Sequence, residues 1–478
     1  MPRVVVVGGG WAGCAAAIAA ARSGAGVTLL ERTDALLGTG RAGGIMENNG
    51  RLTGALEARA LGAGDMFDLA AAAYRHRGVD FPGHDHAALY DPARLEGRVL
   101  SALPARGVEV RLLTRAVGVE MAGRRVLAVT VERAAAVERG AAVERATADG
   151  DAVGRGGDVV GPAHPFARAV AVPGSLAAVY ADAFVDATGT AGPPALCRRW
   201  GNGCVMCVMR CPTFGPRVSV AARAGIEEFA LAGEDGRRGA MSGSCKLERE
   251  TVAPEVTRAL GRGGVAVLPL PPELRHAGAL AIKACRQYAL PEYAESLVLL
   301  DTGAVKMMTP FFPRAELRQV PGLEAAQYVD PIAGGVGNSM RFLALLARDD
   351  GLRVLGTDNL FSAGEKVGLV GHTEAALSGA LAGHNAVRAA LGLPALVLPP
   401  ALAVGDLIAA SGREARKERE YSRRYTLSGD HYFLRLRGLG LYLTSPAEVA
   451  ARVAGLGLAG ALAAPPRRAG GGANRRGS

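Results

Sequence analysis

Three groups of residues in this chain have types and spacings suited to chemistry. The first is Gly8, Gly10 and Gly13, a G-x-G-x-x-G run that follows the apolar stretch Val4 to Val7 and opens an alanine-rich segment. Glycines at these places permit a tight turn, leave the backbone open to a diphosphate and let the following helix lie close on a sheet. Glu31 stands eighteen residues after Gly13, at the end of a second apolar run. A carboxylate there accepts hydrogen bonds from the ribose hydroxyls of a bound dinucleotide and disfavours a 2′-phosphate. Residues 4–21 carry no charge, but three adjacent glycines and the flanking Arg22 and Glu31 speak against a membrane span.

The second group is Cys204, Cys207 and Cys211, followed by Pro212. Their C-x2-C-x3-C-P spacing matches the last three ligands of a bacterial ferredoxin run, with Gly201 where the first cysteine would stand. A metal reading, iron–sulfur or zinc, takes all three thiolates as ligands and needs a fourth group from elsewhere. A redox or nucleophilic reading gives Cys204 and Cys207 to catalysis as a dithiol pair. Three buried cysteines without chemistry are the third reading. The third group is the polar run around Lys366 and His372, where either side chain is a candidate for substrate contact or for tuning cofactor charge, or merely caps a helix. His84 and His86 have H-x-H spacing, which on a strand would put both rings on one side. Asn48 and Asn49 either bind substrate or turn the chain.

These groups require elements to hold them. Val4 to Val7 reads as a buried parallel strand, a helix follows Gly10, and residues 26–30 form the next strand. Helices are predicted over 64–77 and 91–103, a strand over 108–112, and a hairpin from 116–121 and 125–131 about Ala122-Gly123. Ala-Val-Glu-Arg occurs twice within residues 134–161, which read as a surface insertion with little fixed structure. Strands resume at 167–172 and 181–186, the latter running into Asp186-Ala187-Thr188-Gly189. Late in the chain Phe361-Ser362-Ala363-Gly364-Glu365 reads as strand into turn, before Gly371 and a helix from His372 to about Leu391. The run 306–313 reads as core, and residues 414–424 as a solvated charged helix.

The glycine run with Glu31, the Asp186 to Gly189 turn, and Phe361 to Glu365 with its glycine-led helix together resemble the three motifs of flavoproteins with the glutathione-reductase type of FAD-binding domain. The resemblance covers residues 1–195 and 345–392. It implies FAD as cofactor, with the first motif on the diphosphate, Thr188 and Gly189 beside the cofactor, and Gly364, Glu365 and Gly371 on the ribityl phosphate arm. A helix N-terminus near His372 would then face the pyrimidine edge of the isoalloxazine and favour negative charge there. Gly43-Gly44-Ile45 through Leu61-Gly62, residues 320–326, and residues 371–386 are similar to the tRNA-uridine-modifying flavoproteins, the glucose-inhibited division protein A group and the folate-dependent tRNA methyltransferases. Those enzymes carry a reactive cysteine just before the Gly-Gly pair, whereas residues 37–49 here contain none.

At 478 residues, with 49% hydrophobic and 21% charged residues, the chain has a globular composition and a length for two or three domains. The net charge of +10 is weak support for nucleic-acid binding, because four arginines lie in a Pro/Gly-rich tail and nearly all the positive charge is arginine. Seven cysteines, an odd number, without a secretory leader predict a reducing cytoplasm and no membrane. The expected architecture is α/β. A Rossmann-like FAD-binding domain (βαβ plus β-meander) spans 1–199 and 345–395, and a central substrate domain covers 200–344. A helical C-terminal extension, 396–463, and a disordered basic tail, 464–478, follow. The expected function is an FAD-dependent oxidoreductase transferring a hydride to or from a small-molecule substrate or redox partner. The alternative is a divergent FAD-dependent tRNA-uridine modification protein with tRNA as partner; a third reading treats bound FAD as structural.

Overall fold

The structure, a computed structural model, describes residues 1–133, 175–189, 218–230, 240–241, 245–275, 278–281, 288–308, 312–329, 340–341, 344–417 and 425–466. The predicted insertion at 134–161, the strand at 167–172, Cys204, Cys207 and Cys211, and most of the basic tail lie outside these residues.

The first half of the chain forms β1 (Arg3–Val7), α1 (Trp11–Arg22), β2 (Gly26–Leu30), β3 (Ile45–Met46), α2 (Gly50–Ala60), α3 (Asp65–Ala71), β4 (Tyr74–Phe81), β5 (His84–Tyr90), α4 (Pro92–Ala105), β6 (Val108–Arg111), β7 (Thr114–Ala122), β8 (Arg125–Arg133), β9 (Leu176–Tyr180) and β10 (Ala183–Asp186). The second half adds β11 (Cys245–Leu247), α5 (Pro254–Gly263), β12 (Val265–Pro269), β13 (Ser296–Thr302), β14 (Ala304–Met307), β15 (Leu360–Ser362), α6 (His372–Ala390), α7 (Ala403–Lys417), α8 (Asp430–Gly438) and α9 (Pro446–Gly455). Five strands make the parallel sheet, in the order β15-β10-β1-β2-β6. Val4 to Val7 are buried because this strand lies in the middle of that sheet, with neighbours on both edges. The hairpin β7-β8 extends with β9 into a three-stranded antiparallel sheet.

The helix predicted over 64–77 ends at Ala71, and the chain enters β4 at Tyr74. Pairing with β5 and burial override the local helical pattern there. Ile45, Val79, Phe81, Ala87 and Leu89 share a core with Tyr293, Val298, Leu300 and Met308. The β3-β5-β4 sheet thereby joins the first part of the chain to the antiparallel sheet β11-β14-β13-β12. Asp301, 1% exposed on its side chain, fixes the same junction by accepting from Arg75 Nε (2.8 Å), Arg249 Nη1 (2.8 Å) and His76 Nε2 (2.9 Å). Burial alone would raise its carboxyl pKa, but Arg75, His76 and Arg249 hold it below the usual range.

Helices α1 and α6 cross against the sheet at unusually short range. A Cβ on Gly379 would stand 2.1 Å from the Ala12 carbonyl oxygen, and one on Gly383 2.2 Å from that of Ala16. The i, i+4 spacing of both pairs makes two small-residue ridges meet backbone to backbone. Where α1 ends, Ser23 Oγ lies 2.8 Å from His384 Nδ1 on α6. The C-terminal helices return to the first domain. Glu57 of α2 accepts the first N–H groups of α7 from Ala403 (2.7 Å) and Val404 (2.9 Å), and Thr53 Oγ1 donates to the Leu443 carbonyl at 2.7 Å. Among the described residues no helix is long and apolar enough to cross a membrane.

Two outcomes follow from the crossing. Gly383→Ala improves helix propensity by about 1 kcal/mol, yet it forces the backbones apart and is expected to lower stability by roughly 1–3 kcal/mol net in denaturant unfolding. Burial, with Arg388 nearby, pushes the His384 imidazole down to about 4. A depressed folded pKa means the neutral ring is favoured, so this stability is present above the unfolded value of about 6.5 and lost as pH falls towards 4. His384→Gln is expected to flatten the melting temperature across that interval.

Candidate dinucleotide site

The turn after β1 is built from three glycines whose surroundings differ. Gly8 has φ +104°, and a Cβ there would lie 2.4 Å from the Ala187 carbonyl oxygen, so the first turn sits directly on the second. A Cβ on Gly13 would be 1.7 Å from the Gly8 carbonyl oxygen, which holds α1 hard against the loop. At Gly10 a Cβ meets nothing within 4 Å. Gly10 opens into a cleft shared by Gly8, Glu31, Thr114, Arg115, Thr188 and Gly189. The cleft lies at the N-terminus of α1, where Gly10 gives no side-chain cap. The helix amides and macrodipole therefore favour an anion.

Glu31 is 7% exposed. Its Oε2 accepts the Gly9 N–H at 2.7 Å, and its Oε1 accepts the Thr33 N–H at 2.8 Å and hydroxyl at 2.9 Å. A carboxylate has about four acceptor positions, so capacity remains for a ribose hydroxyl. Thr188 is held by Asp186 Oδ1, which accepts its N–H at 3.1 Å and its hydroxyl at 2.7 Å. The cleft thus fits the adenosine-diphosphate half of FAD, with five of the sequence-predicted residues around it: Gly8, Gly10, Glu31, Thr188 and Gly189.

Gly364, Glu365 and Gly371 do not line this cleft. Gly364, at φ +76°, donates its N–H to Ser378 Oγ at 3.0 Å and lies against Ala12 of α1. Lys366 faces inward. Its side chain is fully buried, with Asp186 Oδ2 at 2.7 Å, Glu228 Oε1 at 2.8 Å and Ser219 Oγ at 2.5 Å. Burial alone would push this ammonium down, but Asp186 and Glu228 hold it above its ordinary value. Its donors bind the second motif to the third; Lys366 does not itself line the cleft but donates to Thr188, which does, at 3.2 Å.

His372 occupies the first turn of α6, whose N-cap Gly371 supplies no side-chain cap. Its ring stacks on Trp11 with centroids 5.1 Å apart and planes 11° apart, and its Nδ1 lies 3.1 Å from Tyr90 Oη. Burial pushes the Tyr90 phenol well above its ordinary value, so it stays protonated. Residues 40–43 close over this stack, since Cβ atoms on Gly40 and Gly43 would fall 2.2 Å from Trp11 Cδ1 and 2.1 Å from His372 Cε1. Trp11 Nε1 is buried with no hydrogen-bond partner among the described residues. Trp11 and Tyr90 escaped the sequence reading; an aromatic residue directly after the glycine run was the available signal.

Behind His372, Glu374 is fully buried and accepts from Arg51 Nε (3.1 Å), Thr426 Oγ1 (2.9 Å) and the Leu427 N–H (2.7 Å). Asn49, at φ +53°, accepts the Asp85 N–H at 2.9 Å and donates to the Ser428 carbonyl at 2.7 Å, while Asn48 meets His84 Nδ1 at 2.9 Å. These asparagines turn and anchor the chain. A positive φ of 63° at His86 breaks the strand alternation, leaving His84 buried and His86 exposed. Among the described residues no group of three His, Cys, Asp or Glu side chains could hold a metal.

A model described as FAD dependent oxidoreductase matches residues 3–158, and one described as glucose inhibited division protein A matches residues 304–394. The fold matches that of Aquifex aeolicus GidA in two crystal forms, with TM-scores of 0.63 and 0.55 at 16% and 17% identity, covering 97% and 95% of this chain and 73% and 78% of that one. The chain thus has the fold of that protein and segments similar to both family models. Methylenetetrahydrofolate–tRNA-(uracil-5-)-methyltransferase of Dictyoglomus thermophilum is 34% identical over 95 residues, 20% of this chain and 21% of that enzyme. The enzyme of the same name from Synechococcus sp. (strain JA-3-3Ab) is 42% identical over 93 residues, 19% and 20% of the two chains. The matches thus span about a fifth of the length of these relatives. The match to the FAD dependent oxidoreductase model supports FAD as the cofactor.

Because Gly10 faces open space, Gly10→Ala is expected to leave the melting temperature of the flavin-free protein nearly unchanged. The added methyl would weaken FAD binding by roughly tenfold or more in a fluorescence titration.

Proposed function

We propose that this chain is an FAD-dependent enzyme whose two-electron chemistry serves the modification of uridine in tRNA. The observation that carries the reading is the position of the second family match. Residues 304–394 include β15, the buried Lys366 and the N-terminus of α6 with His372, so the likeness extends beyond a generic dinucleotide loop. When bound, FAD supplies a hydride acceptor or donor. The amides at the α1 N-terminus, beyond the already bonded Gly8 and Gly9 N–H groups, take the diphosphate, and Glu31 takes a ribose hydroxyl. The open N-terminus of α6 favours negative charge at its mouth. His372, with Tyr90 Oη against its Nδ1, presents its imidazole beside it as a hydrogen-bonding group.

A hydride transfer on a small molecule is the second reading, favoured by the absence of cysteine from residues 37–49. Thiol chemistry in either reading draws on Cys204 and Cys207, and an iron–sulfur or zinc site would take Cys211 with them; metal analysis of the purified protein decides between these.

The tRNA reading is tested with the FAD-loaded full chain and bulk tRNA. Saturable binding that weakens steeply between low and moderate salt is expected, together with a changed uridine in nucleoside mass spectrometry once a one-carbon donor and reductant are added. Absence of both, with flavin reduction by a small-molecule donor intact, would transfer the conclusion to the second reading.

A further inference from the structure

Helix α4 carries a charge pattern that neither the cofactor nor the fold uses. Arg94 and Arg98 stand one turn apart on its exposed face, and neither side chain has a hydrogen bond or ion pair among the described residues. Like charges at i, i+4 destabilise a helix. The one acid on α4, Glu96, is engaged elsewhere and accepts the Leu36 N–H at 3.2 Å. Between the two arginines lies Gly97, where a Cβ would meet nothing within 4 Å. Glycine inside a helix is costly relative to alanine, and here no close neighbour requires it. Its effect is to open the groove that Arg94, Arg98 and Ser101 share with Leu69 of α3.

Three further arginines reach the same face. Asp91, the N-cap of α4, donates its own N–H to the Ala73 carbonyl at 3.0 Å, so the helix starts where α3 gives way to β4. Arg77 of β4 lies over the Tyr74 ring at 4.4 Å and donates to the Ala71 carbonyl at 3.4 Å. Arg75 and Arg249 both donate to Asp301, and the turn after Asp301 abuts the same N-cap, since a Cβ on Gly303 would lie 2.7 Å from Asp91 Oδ2. Their side chains are 30% and 27% exposed. Each directs two of its five N–H groups to the shared carboxylate. Asp301 thus fixes both guanidinium groups before any partner arrives, which lowers the entropy lost on binding.

The place of this face matters as much as its charge. Strand β5 ends at Tyr90, whose Oη meets His372, and the next residue is the Asp91 that begins α4. The arginines and the Trp11–His372 stack therefore lie at two ends of one short connection. A ligand spanning them must be long and repeatedly anionic. An RNA strand satisfies this, because guanidinium groups pair with phosphates bidentately. Arginines one helical turn apart, about 5–6 Å between Cβ atoms, suit successive phosphates of one strand.

We propose that the α3–α4 face, Arg94 and Arg98 with Arg75, Arg77 and Arg249, docks the phosphate backbone of RNA. The identity of that RNA as tRNA rests on the function proposed above, whereas the place of docking rests on the arginines.

The experiment titrates the FAD-saturated full chain with bulk tRNA over a range of salt, beside the variants Arg94→Gln/Arg98→Gln and Arg124→Gln/Arg353→Gln. Arg124 pairs with Asp358 just before β15 and Arg353 bridges to Phe361 within it, at the sheet edge opposite β6, into which α4 leads. The second variant thus removes the same charge from another surface. Loss of Arg94 and Arg98 is expected to weaken binding roughly tenfold at low salt and to reduce the slope of log K against log salt by about 1–2. Flavin absorbance should be retained, with a melting temperature equal to or above that of the parent. The control variant should change affinity by less than about twofold. Affinity and slope unaltered by the α4 substitutions, or an equal loss in the control, overturns the docking face and leaves the tRNA reading standing. Absence of tRNA binding by the parent chain overturns both, and polyglutamate binding that depends on Arg94 and Arg98 would then assign the face to an acidic protein segment.

Discussion

The contact on which the rest depends is the backbone-to-backbone crossing of α1 and α6. Gly379 and Gly383 leave no side chain between α6 and the carbonyls of Ala12 and Ala16. Helices this close cannot slide independently, so the N-terminus of α1, at the diphosphate turn, and that of α6, at His372, are held at fixed separation on one edge of the parallel sheet. A long, flat cofactor needs such spacing: one helix end for its phosphates and another for its ring, with little freedom between them.

The buried ion network around Lys366 serves the same alignment by different means. Asp186 ends β10 and carries the Thr188 turn, Lys366 follows β15, and Ser219 and Glu228 belong to the central part of the chain. One ammonium enclosed by two carboxylates fixes three chain segments. Removing the ammonium would leave two carboxylates uncompensated in the interior, at a cost of about 3–5 kcal/mol. The network is therefore intolerant of drift, and it explains why a lysine in the third motif need not touch a ligand to matter.

What could be read from the sequence was what is local. Val4 to Val7, the glycine run and Glu31 lie within one strand-turn-helix-strand unit, and each residue type is demanded by its neighbours. The helix beginning at His372 was legible for the same reason. Lys366 was legible as chemistry but not as structure, because Asp186 and Glu228 are distant in the chain. The strand at Tyr74 was hidden since its partner β5 and its cover from Tyr293 and Val298 outweigh a local helical pattern. Trp11, Tyr90 and His372 meet only in the fold, and a single left-handed residue at His86 undid an otherwise sound alternation.

The parallel sheet takes its edge strand β15 and its covering helix α6 from residues beyond 359, whereas α1 ends at Arg22. On a ribosome adding ~5–20 residues per second, the alanine face of α1 would wait on the order of tens of seconds for its mate. During that interval the nascent chain shows an uncovered apolar helix and an incomplete sheet. A translational pause before α6 would lengthen that exposure, whereas one after it would not.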